Sequence, residues 1–268
     1  MIKPIDINEA WLRTLQKLHD HGNAVAPRGY LTYELPHHTV CIDTRQPVLL
    51  VPERKLSYGF MAAEAYWILT GDNRVSTIAP FNKNISQFSD DGETFAGAYG
   101  PRILEQLDYV VEKLAQDELT RQAGLTIWQP NPAASKDIPC TVAIWFQLRE
   151  HRLHCHVFMR SSDVWLGLPY DLFNFSMLTH LVCAKVRTRT NRLLLEPGHL
   201  YLTMASSHLY DKQLREAEEV LDVYARKHHS WHQPVTPAAF YVDQTALLSG
   251  LKAVRGSTKT DRARWWLP

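Results

Sequence analysis

The feature that most constrains the fold is a pair of alternating segments joined by a short charged turn. Apolar side chains occupy every second position over residues 142–148 and again over residues 153–159, and residues 149–152 separate the two runs. Alternation with a period of two is typical of a β-strand with one buried face, and two such strands around a short turn form an antiparallel hairpin. The hairpin predicts that Cys140, just before its first strand, and Arg160, just after its second, lie at the same end of a sheet.

Helical periodicity surrounds this hairpin. Trp11, Leu15 and Leu18 fall on one face of a helix over residues 7–21, which Gly22 ends. Similar patterns predict helices at 56–70, about 103–114, 171–186 and 211–226, and short apolar or strand-like runs at 39–42, 48–51, 125–128 and 199–204.

The order of these segments and the composition indicate one large globular unit. Strands interleaved with long helices are typical of an α+β domain, here a mixed or antiparallel sheet packed with helices over residues 1–268. With 45% hydrophobic and 21% charged residues, the chain has enough apolar side chains for a sizeable core. Residues 72–100, rich in Asn, Asp, Ser and Gly, are interpreted as a long functional loop, and the last forty residues are weakly patterned.

Charge and cysteine content exclude several classes of protein. The formal net charge is +1, from 29 basic and 28 acidic residues, which argues against a nucleic-acid surface but allows a basic pocket for one phosphate. Four cysteines without a CxxC pair indicate reduced thiols rather than a disulfide framework. The N-terminus lacks an apolar signal segment, and no apolar run is long enough to span a bilayer. We therefore expect no membrane partner and a cytoplasmic location, in the host cytoplasm if the chain is phage-encoded.

Thirteen histidines raise the question of a metal site. His154 and His156 alternate onto one face of a strand, and His228, His229 and His232 lie close together in sequence. A zinc ion needs a third ligand close in space, which this spacing does not supply. We therefore expect surface or turn histidines and no bound metal.

Two side chains could carry chemistry by position alone. Cys140 follows Pro139 at the predicted end of a sheet, where a neighbouring cation would lower the pKa of a thiol, although a lone cysteine is more often a small core residue. Glu64 lies on the apolar stripe of its helix with Phe60 and Trp67, where burying a carboxylate is costly unless it is used. The alternative is a glutamate at the edge of the stripe with its head in solvent.

Residues 160–171 form the sequence Arg-Ser-Ser-Asp-Val-Trp-Leu-Gly-Leu-Pro-Tyr-Asp, preceded on the chain by Pro139-Cys140. Together these segments resemble the nucleotide-binding core of the thymidylate synthase family, and the resemblance extends over most of the chain up to residue 225. It implies that the thiol of Cys140 adds to C6 of a pyrimidine. It also implies that Arg160 and Ser161 bind the nucleotide phosphate with bidentate and hydroxyl donors.

The resemblance implies further residues around the same pocket. Glu64, in a segment Glu-x-x-Trp-x-x-x-Gly-Asp, would organise waters for proton transfer at the base. Asp163 would hydrogen-bond the pterin of a folate, with Gly167 in the adjoining turn; without the resemblance, Asp163 would be a helix or turn cap. The other implied residues are His208 and Tyr210 for the sugar 3′-hydroxyl, Tyr99 for the pocket lining, and the phosphate arginines Arg28 and Arg121.

A homodimer also follows from the resemblance, because family members place two arginines across the subunit interface on the partner's phosphate. Arg121 matches one of the pair, but Gln122 stands at the second position, so one arginine in trans is implied. Ser206 stands within the place of the Gly-Asp that usually precedes the sugar-binding histidine. Such changes, with Thr141, suit a non-catalytic dimeric nucleotide-binding relative, whereas the presence of Cys140, Glu64 and Asp163 together favours an enzyme.

Asp171 occupies the position that recognises the base. Family members that methylate uracil have Asn there, whose amide matches N3–H and O4, whereas cytosine presents an acceptor at N3 and a donor at N4. A protonated carboxyl group at Asp171 matches cytosine at both atoms, and an apolar pocket can keep that group neutral. The substitution predicts a cytosine nucleotide, dCMP or CMP, as substrate. The alternative is an ordinary aspartate at the N-cap of the following helix.

The last prediction concerns the product. The resemblance implies 5,10-methylenetetrahydrofolate as co-substrate, after which hydride gives a methyl group on C5 and water gives a hydroxymethyl group. Synthases have a tryptophan in the loop after the glutamate helix that helps to exclude water, and this chain has none between Trp67 and Trp128. We therefore predict 5-hydroxymethyl-(d)CMP, with a dCMP C5-methylase or a thymidylate synthase as alternatives. The sequence leaves ribose and deoxyribose both open.

Overall fold

One mixed sheet organises the molecule, and the computed structural model describes residues 3–226 and 243–257 of it. The strands are β1 Asn23–Val25, β2 Thr32–Asp43, β3 Gly124–Thr126, β4 Thr141–Arg149, β5 Arg152–Met159, β6 Ser162–Asp163 and β7 Glu196–Tyr210. Their order is β1-β2-β7-β5-β4-β3, and the short β6 also pairs with β7. β7 is antiparallel to β2 and parallel to β5 and β6, so three strands meet along it.

The predicted hairpin is confirmed. β4 and β5 are antiparallel, with Thr141 opposite Met159 at the end of the pairing. Just beyond that pair, the backbone N–H of Arg160 donates to the carbonyl of Cys140 at 2.8 Å. The two residues that the sequence placed at one end of the sheet therefore lie side by side.

The helices pack around a central one, α5. The helices are α1 Ile7–His21, α2 Tyr58–Leu69, α3 Val75–Ile78, α4 Tyr99–Gln116, α5 Leu168–Thr190, α6 Leu214–Arg226 and α7 Gln244–Gly256. Every residue from 172 to 184 of α5 is buried, because the helix packs against β5, β7, α2, α4 and α7. A helix buried all round carries apolar residues on every side. In the described ranges, no helix combines the length and hydropathy needed to cross a bilayer.

Several predicted boundaries were wrong, and three of them have a clear physical reason. The strand expected at 199–204 runs from 196 to 210, because polar residues at its far end still pair with β2. The helix expected from 171 begins at Leu168, since Pro169 is tolerated in the first turn of a helix. The helix expected from 56 begins at Tyr58, because the Ser57 hydroxyl accepts a backbone N–H and caps it there.

Two segments hold more structure than their patterns indicated. The loop predicted at 72–100 contains α3, a 3₁₀ turn at Lys83–Phe88 and the start of α4. The weakly patterned C-terminal part contains α7, whose buried residues are Leu247, Leu251 and Val254. That spacing of four and three residues is a helical signal, and the helix packs mainly on α2.

The two faces of the sheet differ in character. On β4 and β5, the alternate residues that face α5 are buried, whereas Trp145 and Phe158 on the other face are 41% and 43% exposed. His156 stacks on Tyr201 on that same face, with ring centroids 4.8 Å apart. Exposed aromatic side chains grouped on one sheet face mark a surface suited to association.

Candidate active site

The end of the hairpin carries the first group of candidate residues. Ser161 Oγ lies 3.7 Å from Cys140 Sγ. The Arg160 guanidinium donates to the carbonyls of Pro139 and Ile138, both at 2.9 Å, and its Nη1 donates to Ser161 Oγ at 3.2 Å. These bonds hold the guanidinium near the thiol, so a cation, a hydroxyl and a thiol converge at one end of the sheet.

The environment of Cys140 favours the protonated thiol. Burial raises the pKa of Cys140, and Asp171 and Asp137 add to the rise. The charge of Arg160 and the hydrogen bond of Ser161 lower the pKa, but by less than burial raises it. The neighbouring cation therefore lowers the pKa as expected, but the net shift is upward. A thiol in this state needs an acceptor for its proton when it attacks.

Asp171 lies in the first turn of α5, with Oδ2 3.4 Å from Ser162 Oγ. Burial raises the pKa of Asp171 to about 8, helped by the charges of Glu64 and Asp163. The hydrogen bond from Ser162 opposes this rise. At neutral pH the carboxyl group is therefore mainly protonated. The N-cap alternative was wrong, because the helix begins before Asp171, at Leu168.

Glu64 is joined to α5 through Asn174, a residue that the sequence predictions missed. Asn174 Nδ2 donates to Glu64 Oε2 at 2.8 Å, so the alternative of a glutamate with its head in solvent was wrong. Burial raises the pKa of Glu64 to about 7, and the hydrogen bond from Asn174 acts in the opposite direction. A signal for Asn174 existed: it is a polar residue in a largely apolar stretch of helix, three positions after Asp171.

Asp163 uses its two carboxylate oxygens differently. Oδ1 accepts the backbone N–H groups of Trp165 and Leu166, both at 2.8 Å, so Asp163 does cap this turn. Oδ2 is buried and has no hydrogen-bond partner in the described part of the chain, and burial raises the pKa of the group. A Cβ on Gly167 would come within 3.3 Å of the Asp163 carbonyl and 3.5 Å of Asp171 Oδ2. The turn that carries this acceptor is therefore closely packed around Gly167, where a Cβ would fit only tightly against the Asp163 carbonyl.

A row of three polar residues crosses the sheet beside this turn. His208 on β7 is opposite Asp163 on β6 and opposite Glu34 on β2, so the three side chains share one face. Burial lowers the pKa of His208, while the carboxylates of Asp163 and Glu34 raise it. The charges of Arg160 and Arg28 also lower it, so both arginines are close enough to act on this imidazole.

Glu34 is a second residue that the sequence predictions missed. Its carboxylate accepts a hydrogen bond from the hydroxyl of Ser206 on the neighbouring strand. Ser206 lies in the segment where the resemblance implies a Gly-Asp pair, matched here by Ser206-Ser207 or Ala205-Ser206. The pairing of β2 with β7 brings the Glu34 carboxylate to this segment. The cross-strand pairing reveals the contact between Glu34 and Ser206, which the sequence does not show because these residues are far apart along the chain.

Tyr99 joins the pocket from the start of α4. Its hydroxyl oxygen accepts the backbone N–H of Thr141 at 3.2 Å, and its ring stacks on Phe175 of α5 with centroids 6.4 Å apart. Burial raises the pKa of Tyr99, and the charges of Asp171 and Cys140 add to the rise. The tyrosine therefore lies between the hairpin end and the helix end of the site.

The remaining predicted residues lie further out. Tyr210 follows His208 on the same face of β7, with the two rings edge to face at 5.4 Å. Arg28 is exposed in a 3₁₀ turn and has a left-handed backbone, φ 55°. Arg121 is exposed, and in the described residues its side chain forms no hydrogen bond or ion pair with the group around Cys140. A role for Arg121 at a phosphate therefore requires a second subunit.

The described residues contain no group of histidine, cysteine and acidic side chains that could hold a metal ion. On the exposed sheet face, His154 Nδ1 accepts the backbone N–H of His199 at 3.1 Å. That nitrogen serves as an acceptor for the backbone. The other candidate histidines, His228, His229 and His232, lie outside the described residues.

Comparison with known proteins identifies the fold. The model of the family described as Thymidylate synthase matches residues 9–234, which is most of the chain. The chain belongs to the thymidylate synthase family. The resemblance noted in the sequence and the α+β fold class are thereby confirmed. The domain bounds 1–268 stay a prediction, because residues 227–242 and 258–268 are not described.

Relatives in this family carry two kinds of name. The chain is 31% identical over 247 residues to a deoxyuridylate hydroxymethyltransferase of Bacillus phage SP01, covering 83% of this chain and 61% of that protein. It is 25% identical over 182 residues to a thymidylate synthase of Buchnera aphidicola subsp. Baizongia pistaciae, covering 63% and 66%. It is also 25% identical over 229 residues to a putative thymidylate synthase of Methanococcoides burtonii, covering 82% and 94%. The chain thus spans less than two thirds of the length of the first two relatives.

Within this thymidylate synthase fold, the candidate site has two chemically distinct ends. The sheet end holds the Cys140 thiol beside the Arg160 cation. The helix end holds the carboxyl groups of Glu64 and Asp171, whose pKa values burial raises into the neutral range. Such an arrangement can bind an anion at one end and exchange hydrogen bonds with a neutral ring at the other.

Proposed function

We propose that this chain transfers a one-carbon unit from 5,10-methylenetetrahydrofolate to C5 of a cytosine nucleotide, giving 5-hydroxymethyl-(d)CMP. The observation that carries the proposal is the carboxyl group of Asp171, whose pKa burial raises to about 8. Family membership supports the class of reaction, and the chemistry of Asp171 supports the choice of base.

The base preference follows from the protonation of Asp171. A neutral carboxyl group donates its O–H to N3 of cytosine and accepts from the N4 amino group with its other oxygen. Uracil offers N3–H and O4, which is the opposite pattern. Each mismatched buried group costs roughly 1–3 kcal/mol, about a ten- to hundredfold preference. An ionised Asp171 has no proton for N3, so the preference for cytosine requires the neutral form.

Cys140 and Glu64 are the proposed residues for the covalent steps. The Cys140 sulfur adds to C6 of the base and makes C5 a nucleophile for the one-carbon unit. Glu64 helps a water molecule to remove the C5 proton, and loss of tetrahydrofolate leaves an exocyclic methylene on the base. Water adds to that methylene, and the bond between sulfur and C6 breaks. In total, nucleotide, methylenetetrahydrofolate and water give hydroxymethyl nucleotide and tetrahydrofolate.

The rest of the nucleotide has candidate partners on both sides of Cys140. Arg160 supports phosphate binding, because its guanidinium is already positioned by backbone carbonyls. The influence of Arg28 and Arg160 on the pKa of His208 supports a phosphate and a sugar as neighbours here. The proposed substrate-binding residues are Arg160, Ser161, Arg28, His208, Tyr210 and Tyr99, with Arg121 from a second subunit.

The co-substrate fits the turn around Asp163. The buried, unpartnered Oδ2 of Asp163 suits an N–H donor of a pterin ring. Gly167 lies beside both residues, since a Cβ there would come within 3.3 Å of the Asp163 carbonyl and 3.5 Å of Asp171 Oδ2. When bound, methylenetetrahydrofolate supplies the one-carbon unit at the oxidation level of formaldehyde. The proposal includes no metal.

The preference for water over hydride in the last step rests on the loop after α2. The chain has no tryptophan between Trp67 and Trp128, and Phe95 packs edge to face on Trp67 with centroids 5.7 Å apart. A phenylalanine covers less surface than an indole, which favours access of water. The name of the phage relative, a hydroxymethyltransferase, supports the same product. A dCMP C5-methylase is the outcome if hydride transfer wins instead.

A cytoplasmic homodimer is part of the proposal. The exposed aromatic residues Trp145 and Phe158 lie on the sheet face away from α5, where a second copy could cover them. Arg121 is exposed, and its side chain forms no hydrogen bond or ion pair with the site among the described residues, as an arginine acting in trans requires. Four cysteines without a disulfide suit a reducing compartment.

The phage relative favours a second candidate function, hydroxymethylation of deoxyuridylate. In this chain, that reaction would require Asp171 to accept a hydrogen bond from N3–H of uracil. An ionised Asp171 can do so but donates nothing to O4. The two candidates therefore differ in the protonation state of one side chain.

The test uses CMP, dCMP and dUMP labelled with tritium at C5, each with methylenetetrahydrofolate. Tritium release follows proton removal at C5, and the mass of each product distinguishes hydroxymethyl from methyl. We expect turnover of the cytosine nucleotides to be faster than turnover of dUMP, and we expect the product to carry a hydroxymethyl group. Faster turnover of dUMP would overturn the cytosine assignment. A methylated product would overturn the addition of water, and binding without any release would indicate a non-catalytic relative.

A further inference from the structure

Asn174 is a buried polar residue at the helix end of the site, and only 5% of it is exposed. Its Nδ2 donates to Glu64 Oε2 at 2.8 Å, across the contact between α5 and α2. Its Oδ1 is buried and has no hydrogen-bond partner among the described residues. The amide group is therefore oriented by one bond, in which Glu64 is the acceptor.

Asn174 also connects Glu64 to the base-recognition position. It lies three residues after Asp171 on α5, so the two side chains project from the same side of the helix. Glu64 on α2 bonds to one and acts electrostatically on the other. Burial keeps both carboxyl groups largely out of water, so ionising both at once is unfavourable. Among the other titratable groups around this pair, Asp163 raises the pKa of Asp171, and the pair in turn raises the pKa values of Tyr170, Tyr99 and Cys140.

The direction of the hydrogen bond decides which carboxyl group carries the charge. An N–H donor stabilises a carboxylate more than it stabilises a carboxylic acid. Asn174 gives that donor to Glu64, while Ser162 Oγ lies at the longer distance of 3.4 Å from Asp171. The stronger donor therefore favours charge on Glu64 and a proton on Asp171.

We propose that Asn174 is a positioning residue that keeps the negative charge on Glu64 and the proton on Asp171, and thereby sets the preference for cytosine over uracil. The inference rests on the proposed function and adds a residue to it. In the opposite arrangement, a protonated Glu64 would donate to Asn174 Oδ1 after the amide turned over. Asp171 would then ionise more readily and would lose the proton that N3 of cytosine needs. Amide orientation and base choice are in this way linked.

The test replaces Asn174 by Leu, which has a similar shape and no donor. Two quantities are measured: the pH dependence of tritium release from C5 of dCMP, and the ratio of kcat/KM for dCMP to that for dUMP. Loss of the donor should move the acid limb of the pH profile up by about one pH unit. The same loss should reduce the dCMP to dUMP ratio about tenfold. A merely structural effect would lower turnover of both nucleotides, but it would change neither the position of the acid limb nor the dCMP to dUMP ratio.

The matched control is Ser176→Ala, since Ser176 is also buried on α5 but, among the described residues, donates to the Leu172 carbonyl at 2.7 Å and not to a carboxyl group. It should move neither quantity. Asn174→Ala is the second variant, because it cannot clash with its neighbours and would report if Asn174→Leu does not fold. If a folded variant keeps both the acid limb of the pH profile and the dCMP to dUMP ratio, the proposed role of Asn174 is wrong, while the proposed function still stands. A wild-type chain that prefers dUMP would instead remove the cytosine assignment, and this inference with it.

Discussion

The two ends of the site are built by different means. At the sheet end, Cys140 and Arg160 are neighbours because a local hairpin pairs the residues beside them. At the helix end, Glu64 and Asp171 meet only because α2 packs on α5. The sheet end includes a cation, and the helix end places two carboxyl groups close together. An enzyme of this design can anchor an anion at one end and hold a proton at the other.

The ends also differ in how strongly burial acts. Arg160 opposes the effect of burial on Cys140, although it does not outweigh it. Among the described residues, no cation contributes to the pKa shift of Glu64 or Asp171. Burial is the largest cause of both shifts, to about 7 and about 8, and the charges of Glu64 and Asp163 add to the rise at Asp171. The comparison shows that the sheet end provides the nucleophile. The helix end provides two carboxyl groups whose protonation state can change near neutral pH.

The largest effect is expected at the sheet end. Cys140→Ser should reduce turnover at least about 10³-fold, because a serine hydroxyl is a far weaker nucleophile than a thiolate. Binding of dCMP should persist, since the phosphate and base contacts remain. Cys41→Ser is the control, because Cys41 lies on β2 and is also buried. Full turnover by the Cys140 variant would mean that no bond forms between sulfur and the base.

The next effect tests the helix end. Asp171→Asn should reduce kcat/KM for dCMP about 100-fold and raise it for dUMP, because the amide reverses the donor and acceptor pattern. Steady-state rates with dCMP and dUMP measure this change in base preference. Asp108→Asn on the exposed side of α4 is a control that should change neither rate. An equal loss on both nucleotides would show that Asp171 supports the fold rather than the base.

How far the sequence could predict these ends follows the same division. The hairpin was predictable because the alternation of apolar and polar residues is a local pattern. The hairpin in turn predicted that Cys140 and Arg160 are neighbours. The bond from Asn174 to Glu64 was not predictable, because the two residues lie 110 positions apart and no periodic pattern joins them. The sequence marks Asn174 only as a polar residue in a largely apolar helix. Glu34 was hidden for the same reason, since only the register of β2 with β7 brings it opposite His208. The raised pKa of Cys140 depends on burial by distant segments, which its neighbours in sequence do not reveal.

A smaller effect is expected from pH. Turnover of dCMP needs Glu64 ionised and Asp171 neutral, and their pKa values are about 7 and about 8. The rate should therefore peak between these values and fall about tenfold per pH unit on either side. In Asp171→Asn, turnover of dUMP should keep the acid limb and lose the alkaline limb. An alkaline limb that survives this substitution would belong to another group.

The smallest effect concerns stability. The pKa of Asp171 is about 8 in the folded chain, above the value of about 4 for an unfolded aspartate. Folding therefore takes up a proton between these values, so stability from this group is present at acid pH and is lost as the pH rises through about 8. Asp171→Asn should raise the free energy of unfolding at about pH 8 by at least about 1 kcal/mol more than at about pH 5. Urea titrations at both pH values measure this difference, and equal changes would contradict a buried neutral acid.

The most direct test of the account is an infrared titration of the protonated carboxyl group of Asp171. The carbonyl stretch of a protonated carboxyl group is distinct from that of a carboxylate, and Asp171→Asn identifies which band belongs to this residue. The account predicts a protonated-carboxyl band at neutral pH that disappears with a midpoint near 8 and is absent from Asp171→Asn. A band lost with a midpoint near 4, the ordinary value for aspartate, would contradict the account.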